Sequence, residues 1–224
     1  MPGTSARRPF LPVLLVLTAI LLAGCSRPPE LIGVANPSVA VDAVPDVTRH
    51  RIFIASTRTP SAEPGVFLST GRAAELGLAS VEVTIPPTHV IGQIERPRRL
   101  PPDPRTEFTV VDPVVHGGDA DMISALNREL ASRPRGERKL LLFVHGYNNT
   151  ASDAVLRLAQ FVEDTGFQGV PTLLTWASAA STPRYVHDST ARSSPGARSR
   201  RWPTSWPGPG QRVRTSSPTR WAPC

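Results

Sequence analysis

The sequence predicts an α/β protein: a mostly parallel sheet with helices on both faces, preceded by a smaller β-containing region. Two observations carry this. Leu140–Val144 is an unbroken apolar run, the pattern of a strand buried on both faces, and residues 170–176 (VPTLLTW) form a second. Between them Ala154, Val155, Leu158, Phe161 and Val162 recur at helical spacing, so strand, helix and strand make one right-handed crossover unit. The first strand is expected at the centre of its sheet. Thr150 or Ser152 is expected to cap the helix, and Gly166 and Gly169 to stop it.

Residues 1–25 read as a targeting segment. Arg7 and Arg8 give a positive start, and the apolar stretch from Phe10 to Ala23 is too short to span a bilayer comfortably. Leu22-Ala23-Gly24-Cys25 resembles the bacterial lipobox, which implies cleavage before Cys25 and lipidation of its thiol. Several acyl chains on one residue anchor a protein stably, where one chain is marginal. Ser26, rather than an aspartate, then implies sorting to the outer membrane, on its periplasmic side. The membrane, reached through the acyl anchor at Cys25, is the expected partner. Cys224 is the only other cysteine, so an intrachain disulfide is not expected.

Residues 26–50 hold Pro28, Pro29, Pro37 and Pro45 and read as a tether. An N-terminal α+β region is expected over residues 51–135. It opens with RIFIASTR from Arg51, which alternates around Ile52 and Ile54. It continues with Val81, Val83 and Ile85, closed by Pro86-Pro87, and with a third strand over residues 108–115. Asp119 or Asp121 then caps a helix carrying Ile123, Leu126 and Leu130 on one face. The crossover unit occupies residues 136–188.

The strand ending in VHGYNN, the helix after it and the next strand ending in Thr-Trp resemble the α/β hydrolases of the esterase/lipase superfamily, within a bacterial envelope branch of unassigned substrate. The segments RIFIASTR and VEVTIPPTH resemble the N-terminal part of the same branch. The resemblance implies that the turn His145, Gly146, Tyr147 and Asn148 is an oxyanion loop, with a backbone N–H at or beside Tyr147 as one donor. Gly146 would let the backbone approach a substrate carbonyl. An ester or related acyl compound is the substrate class implied, with no cofactor.

His116-Gly117-Gly118 is similar to the His-Gly-Gly loop of some lipases, but Asp112-Pro113 interrupts the run before it, and a glycine turn is the better account. His50, His89 and His187 have no ligand-spaced neighbours, so no metal site is expected. Acyl transfer on this fold needs a serine on a sharp strand-to-helix turn, then an acid and a histidine. The chain has no G-x-S-x-G, and no further strand is legible after Trp176. No catalytic residue is therefore expected in it.

Composition breaks at Ser189. Seven of the 25 basic residues lie in residues 189–224, which have no acid and one aliphatic side chain, Val213, so the rest of the chain balances 18 bases with 18 acids. Three of the four tryptophans fall there too. Such a tail can bind lipid headgroups or nucleic acid, but behind a lipobox nucleic acid is not an expected partner. One lysine among 25 basic residues suggests GC-rich DNA, and the tail has the composition such DNA gives out of frame. A synonymous decoding of residues 217–224, SPTRWAPC, read one base earlier, yields Val-Ala-His-Ser-Met-Gly-Thr-Leu, which resembles the absent nucleophile turn. Some of the shifted reading is forced: Trp221-Ala222 must give glycine, and Trp202-Pro203 and Trp206-Pro207 must each give alanine. The expectation is a frameshift near Ala191 or Arg192, a disordered tail, and a hydrolase by descent that is inactive in this form. The rival expectation is a non-catalytic envelope lipoprotein with a binding or structural role.

Overall fold

A computed structural model describes residues 30–63 and 65–178. The lipobox with Cys25, His187 and the basic tail with Cys224 lie outside the described residues. Five strands, β1 (Thr48–Pro60), β2 (Leu68–Ile85), β3 (Thr109–Val115), β4 (Leu140–Val144) and β5 (Val170–Thr175), form one sheet in the order β3-β2-β1-β5-β4. β1, β5 and β4 run parallel, and β1, β2 and β3 antiparallel. Helix α1 (Asp119–Ser132) leads into β4, and α2 (Ala151–Thr165) connects β4 to β5. The N-terminal strands and the crossover unit thus share one sheet.

Side-chain alternation sends the helices to opposite faces. Ile52 and Ile54 of β1 and Leu173 of β5 pack with Val155, Leu158 and Val162 of α2. Phe53 and Val170 face the other way and meet Leu126, Met122 and Leu130 of α1. Thr150 caps α2, accepting from Asp153 N while the Asp153 carboxylate takes the Thr150 N–H. Gly166 ends α2 at φ 62°, a left-handed conformation that favours glycine.

Several expectations need correction. β4 is at the edge, not the centre, of the sheet among the described residues, and Leu142 and Val144 are 44% and 51% exposed. α1 covers only the Leu140 end of that face. An apolar run specifies that a strand wants both faces covered; it does not say on which side its neighbours lie. α1 is capped by Gly118 without a side-chain bond, although the Asp121 carboxylate accepts from Gly117 N. Phe161 is half exposed, and Ser152 is buried inside the first turn of α2 instead of capping it.

β1 begins three residues before Arg51, and β2 begins well before Val81. The segment LSTGRAAELGLAS has weak strand propensity and is held by pairing with β1, with irregular register near Arg58. A Cβ at Gly71 would lie 2.6 Å from Thr59 Oγ1, so a larger residue there would require the Thr59 side chain to shift. Leu31 and Ile32, within the stretch expected as tether, are buried in the core, and Ile32 bridges Val110.

The loop between β2 and β3 is strapped along α2. His89 contacts Glu95 through Nδ1 at 2.7 Å and Asp164 through Nε2 at 2.9 Å, and Arg96 pairs with Asp153 at the other end of the helix. Burial disfavours charge on His89, but the two carboxylates outweigh it and raise its pKa. Glu95 and Asp164, opposed by burial and favoured by the bonds to His89, are lowered. The imidazole therefore contributes stability that is fully present below its unfolded pKa of about 6.5 and is lost as pH rises through the higher folded value. Thermal midpoints are expected to fall as pH rises above neutrality, and the slope to shrink in His89→Ala. A slope unchanged by that substitution would contradict the strap.

Candidate active site

The carboxyl ends of parallel strands are where α/β folds hold ligands. Strand parity builds the candidate site there. Phe143 pairs with Leu173 and Ser56 with Thr175, so His145, one residue beyond β4, falls on the same face as Thr175 and the end of β1. α2 starts beside them, with its positive end toward the turn.

His145 is only 5% exposed. Its ring stacks on Trp176 with centroids 5.3 Å apart, Nδ1 lies 2.7 Å from Gly146 O, and Nε2 lies 2.8 Å from Thr175 Oγ1. Trp176 Nε1 donates back to His145 O at 3.0 Å. The turn residues Gly146, Tyr147 and Asn148 are exposed, and Asn148 holds φ 61°. Asn149 Nδ2 donates to Tyr147 O at 2.8 Å and to Gly146 O at 3.3 Å. Among the described residues a Cβ on Gly146 would meet nothing within 4 Å. Of the four expected loop residues, His145 points inward as a strut and the other three form the exposed rim.

Arg58 was not singled out from the sequence. It is 1% exposed and donates to Thr175 Oγ1 at 3.0 Å, Ser178 O at 3.1 Å, Ser69 O at 3.3 Å and Asn149 O at 2.7 Å. One guanidinium thus joins β2, β5, the segment after β5 and the end of the candidate loop, a use of its several fixed donors that lysine could not reproduce. The signal was present: Ile52, Ile54, Ser56 and Arg58 share the alternation of β1, which places the arginine at the site's edge.

Two of the histidines without ligand-spaced neighbours in sequence, His50 and His89, have partners in space. His50 lies 2.6 Å from Glu163. His116 Nε2 lies 3.2 Å from Ser80 Oγ and its Nδ1 3.5 Å from Asp121 Oδ2, while its ring stacks on Phe53. This order imitates a catalytic triad, but Ser80 is 2% exposed and paired with Phe53 and Val114 in the ladder. A nucleophile needs an open approach and a strained turn, so the cluster is a latch between β2 and α1. Ser152 and Ser178 are fully buried. Among the described residues no group of three His, Cys, Asp or Glu could hold a metal ion, and no helix is long and apolar enough to cross a membrane.

A mixed sheet with helices on both faces, and a His-Gly turn at the carboxyl end of a parallel strand, define an incomplete α/β-hydrolase-type fold. Residues 119–198, about a third of the chain, are similar to the family described as "Alpha/beta hydrolase of unknown function (DUF900)". That match covers α1, β4, α2 and β5 and ends inside the arginine-rich tail. No curated protein and no solved structure matches the chain.

Proposed function

We propose that this chain is the first part of a lipid-anchored α/β hydrolase of carboxylic esters or related acyl compounds, held at the outer membrane through Cys25. The turn Gly146, Tyr147 and Asn148 is its oxyanion loop, with His145 as the strut beneath. The observation that carries the reading is the placement of this exposed turn at the carboxyl ends of β4, β5 and β1, between a fixed histidine and the start of α2. In such an enzyme serine attacks the carbonyl, histidine carries the proton, and backbone N–H groups stabilise the oxyanion.

Among the described residues the loop has no accessible serine beside a base, which supports the reading of this form as inactive. The open edge of β4, with Leu142 and Val144 exposed, supports a further strand in the intact protein, carrying the serine read from the shifted frame. The rival, a non-catalytic envelope lipoprotein with a binding or structural role, is the better reading only if that frame is empty. The coding nucleotide sequence decides. An open frame from near Ala191, continuing past Cys224 through an acid and a histidine, is expected; early stops in it support the rival. The anchor has its own test: Cys25→Ala is expected to abolish fatty-acid labelling and leave an unprocessed precursor, and undiminished labelling overturns the lipidation.

A further inference from the structure

The hydrogen bonds around His145 have a direction that the partners dictate. Gly146 O can only accept, so the His145 proton sits on Nδ1 and Nε2 is an acceptor. Trp176 N–H donates to that Nε2 at 3.3 Å. The Thr175 hydroxyl accepts from Arg58 Nε at 3.0 Å, which leaves its own hydrogen to point at His145 Nε2, 2.8 Å away. The chain of donors therefore runs from the arginine to the threonine, then to the histidine, then to the Gly146 carbonyl. Asn149 Nδ2 adds a second donor to that carbonyl at 3.3 Å.

The peptide that carries this carbonyl also carries the Tyr147 N–H. It is trans, since the cis bond among the described residues is Leu100–Pro101, and a planar trans peptide points its C=O and N–H in opposite directions. Pulling Gly146 O toward the buried imidazole turns the Tyr147 N–H to the other side, where Gly146 and Tyr147 are exposed.

We propose that Arg58, Thr175 and His145 are positioning residues: a directed hydrogen-bond relay that fixes the Gly146–Tyr147 peptide so that its N–H faces an anionic acyl oxygen. The inference rests on the oxyanion-loop reading and adds what holds the donor in aim. Preorganised donors matter because they need no reorientation as charge develops. The Gly146 carbonyl fixes the histidine tautomer, and the relay adds the Thr175 bond that holds the ring in place.

The test uses the full chain, labelled with ¹⁵N, as wild type, Thr175→Val and Thr175→Ser. Valine keeps the volume and removes the hydroxyl; serine restores the hydroxyl. Wild type and Thr175→Ser are expected to show neutral His145 protonated on Nδ1 alone, and the same residual dipolar coupling for the Tyr147 N–H. In Thr175→Val the proton stays on Nδ1, held there by the Gly146 carbonyl, but its exchange quickens about tenfold, the weight of one ordinary hydrogen bond. The Tyr147 coupling changes while those of α2 do not. An unchanged Nδ1 exchange rate and an unchanged Tyr147 coupling in Thr175→Val overturn the relay, as does a proton on Nε2 in the wild type. Should the valine chain fail to fold, Thr175→Ala carries the same comparison of Nδ1 exchange and Tyr147 coupling, with the same outcomes. A frame-restored protein that does not react with acyl-type probes, with the Tyr147 N–H aimed as described, refutes the hydrolase reading and leaves the relay standing.

Discussion

Arg58→Met is expected to lower folding stability by about 3–5 kcal/mol, the combined cost of several enclosed acceptors losing a charged donor. The side chain is fully enclosed, and its loss strips donors from Thr175 Oγ1 and from the carbonyls of Ser69, Asn149 and Ser178. Each buried acceptor left without a donor costs roughly 1–3 kcal/mol, with water recovering part of it. Methionine fills much of the volume, so the cost is polar and not a cavity. Arg49→Met is the control: Arg49 is about one-third exposed, and its partner Asp42 lies almost wholly in solvent. Although Arg49 also reaches the better-buried Glu82 at 2.6 Å, screening should hold its loss to about 1 kcal/mol or less. Urea midpoints for the two variants give the comparison. Equal losses would mean that Arg58 is not the tie its contacts describe.

The crossover unit was legible because its signals are local. Five apolar residues, a Thr-x-x-Asp capping box, apolar positions at helical spacing and a terminal glycine fix β4, α2 and their boundaries. β3 and α1 were readable for the same reason. What sequence alone could not place was the partner of each strand. β4 reads as a doubly buried strand and lies at an edge, because the alternation of a strand records which faces want cover and not whether cover is present. The first half of β2 was invisible because Gly71, Gly77 and its alanines carry little strand signal; pairing with β1 supplies the order.

The candidate site divides in the same way. Gly146, Tyr147 and Asn148 stand out as a turn, and the turn is exposed as expected. His145 reads as the first residue of that turn but is one step further along the parity of β4, so its ring enters the core and meets Thr175. Arg58 is separated from Asn149 by 91 positions and from Ser178 by 120, contacts of a range that no local pattern announces. The pairs His89–Asp164 and His50–Glu163 were missed on the same ground, since both join β-region residues to the end of α2.

The central claim is that this chain presents an oxyanion loop without a nucleophile, and that the nucleophile belongs to the shifted frame. A serine-directed fluorophosphonate probe tests it most directly, applied to the chain as it stands and to a version with the frame restored near Ala191. Serine hydroxyls without a neighbouring base and a strained turn are weak nucleophiles, and Ser80, Ser152 and Ser178 are all buried. The unaltered chain is expected to remain unlabelled. The restored protein should label at one serine at or near position 220, on a turn facing Tyr147. In it Gly146→Val, which meets no clash among the described residues but crowds the approach to the donor, should slow labelling by about a hundredfold, the weight of one oxyanion donor. Stoichiometric labelling of the unaltered chain would contradict the account, because the nucleophile would then already be present elsewhere in it.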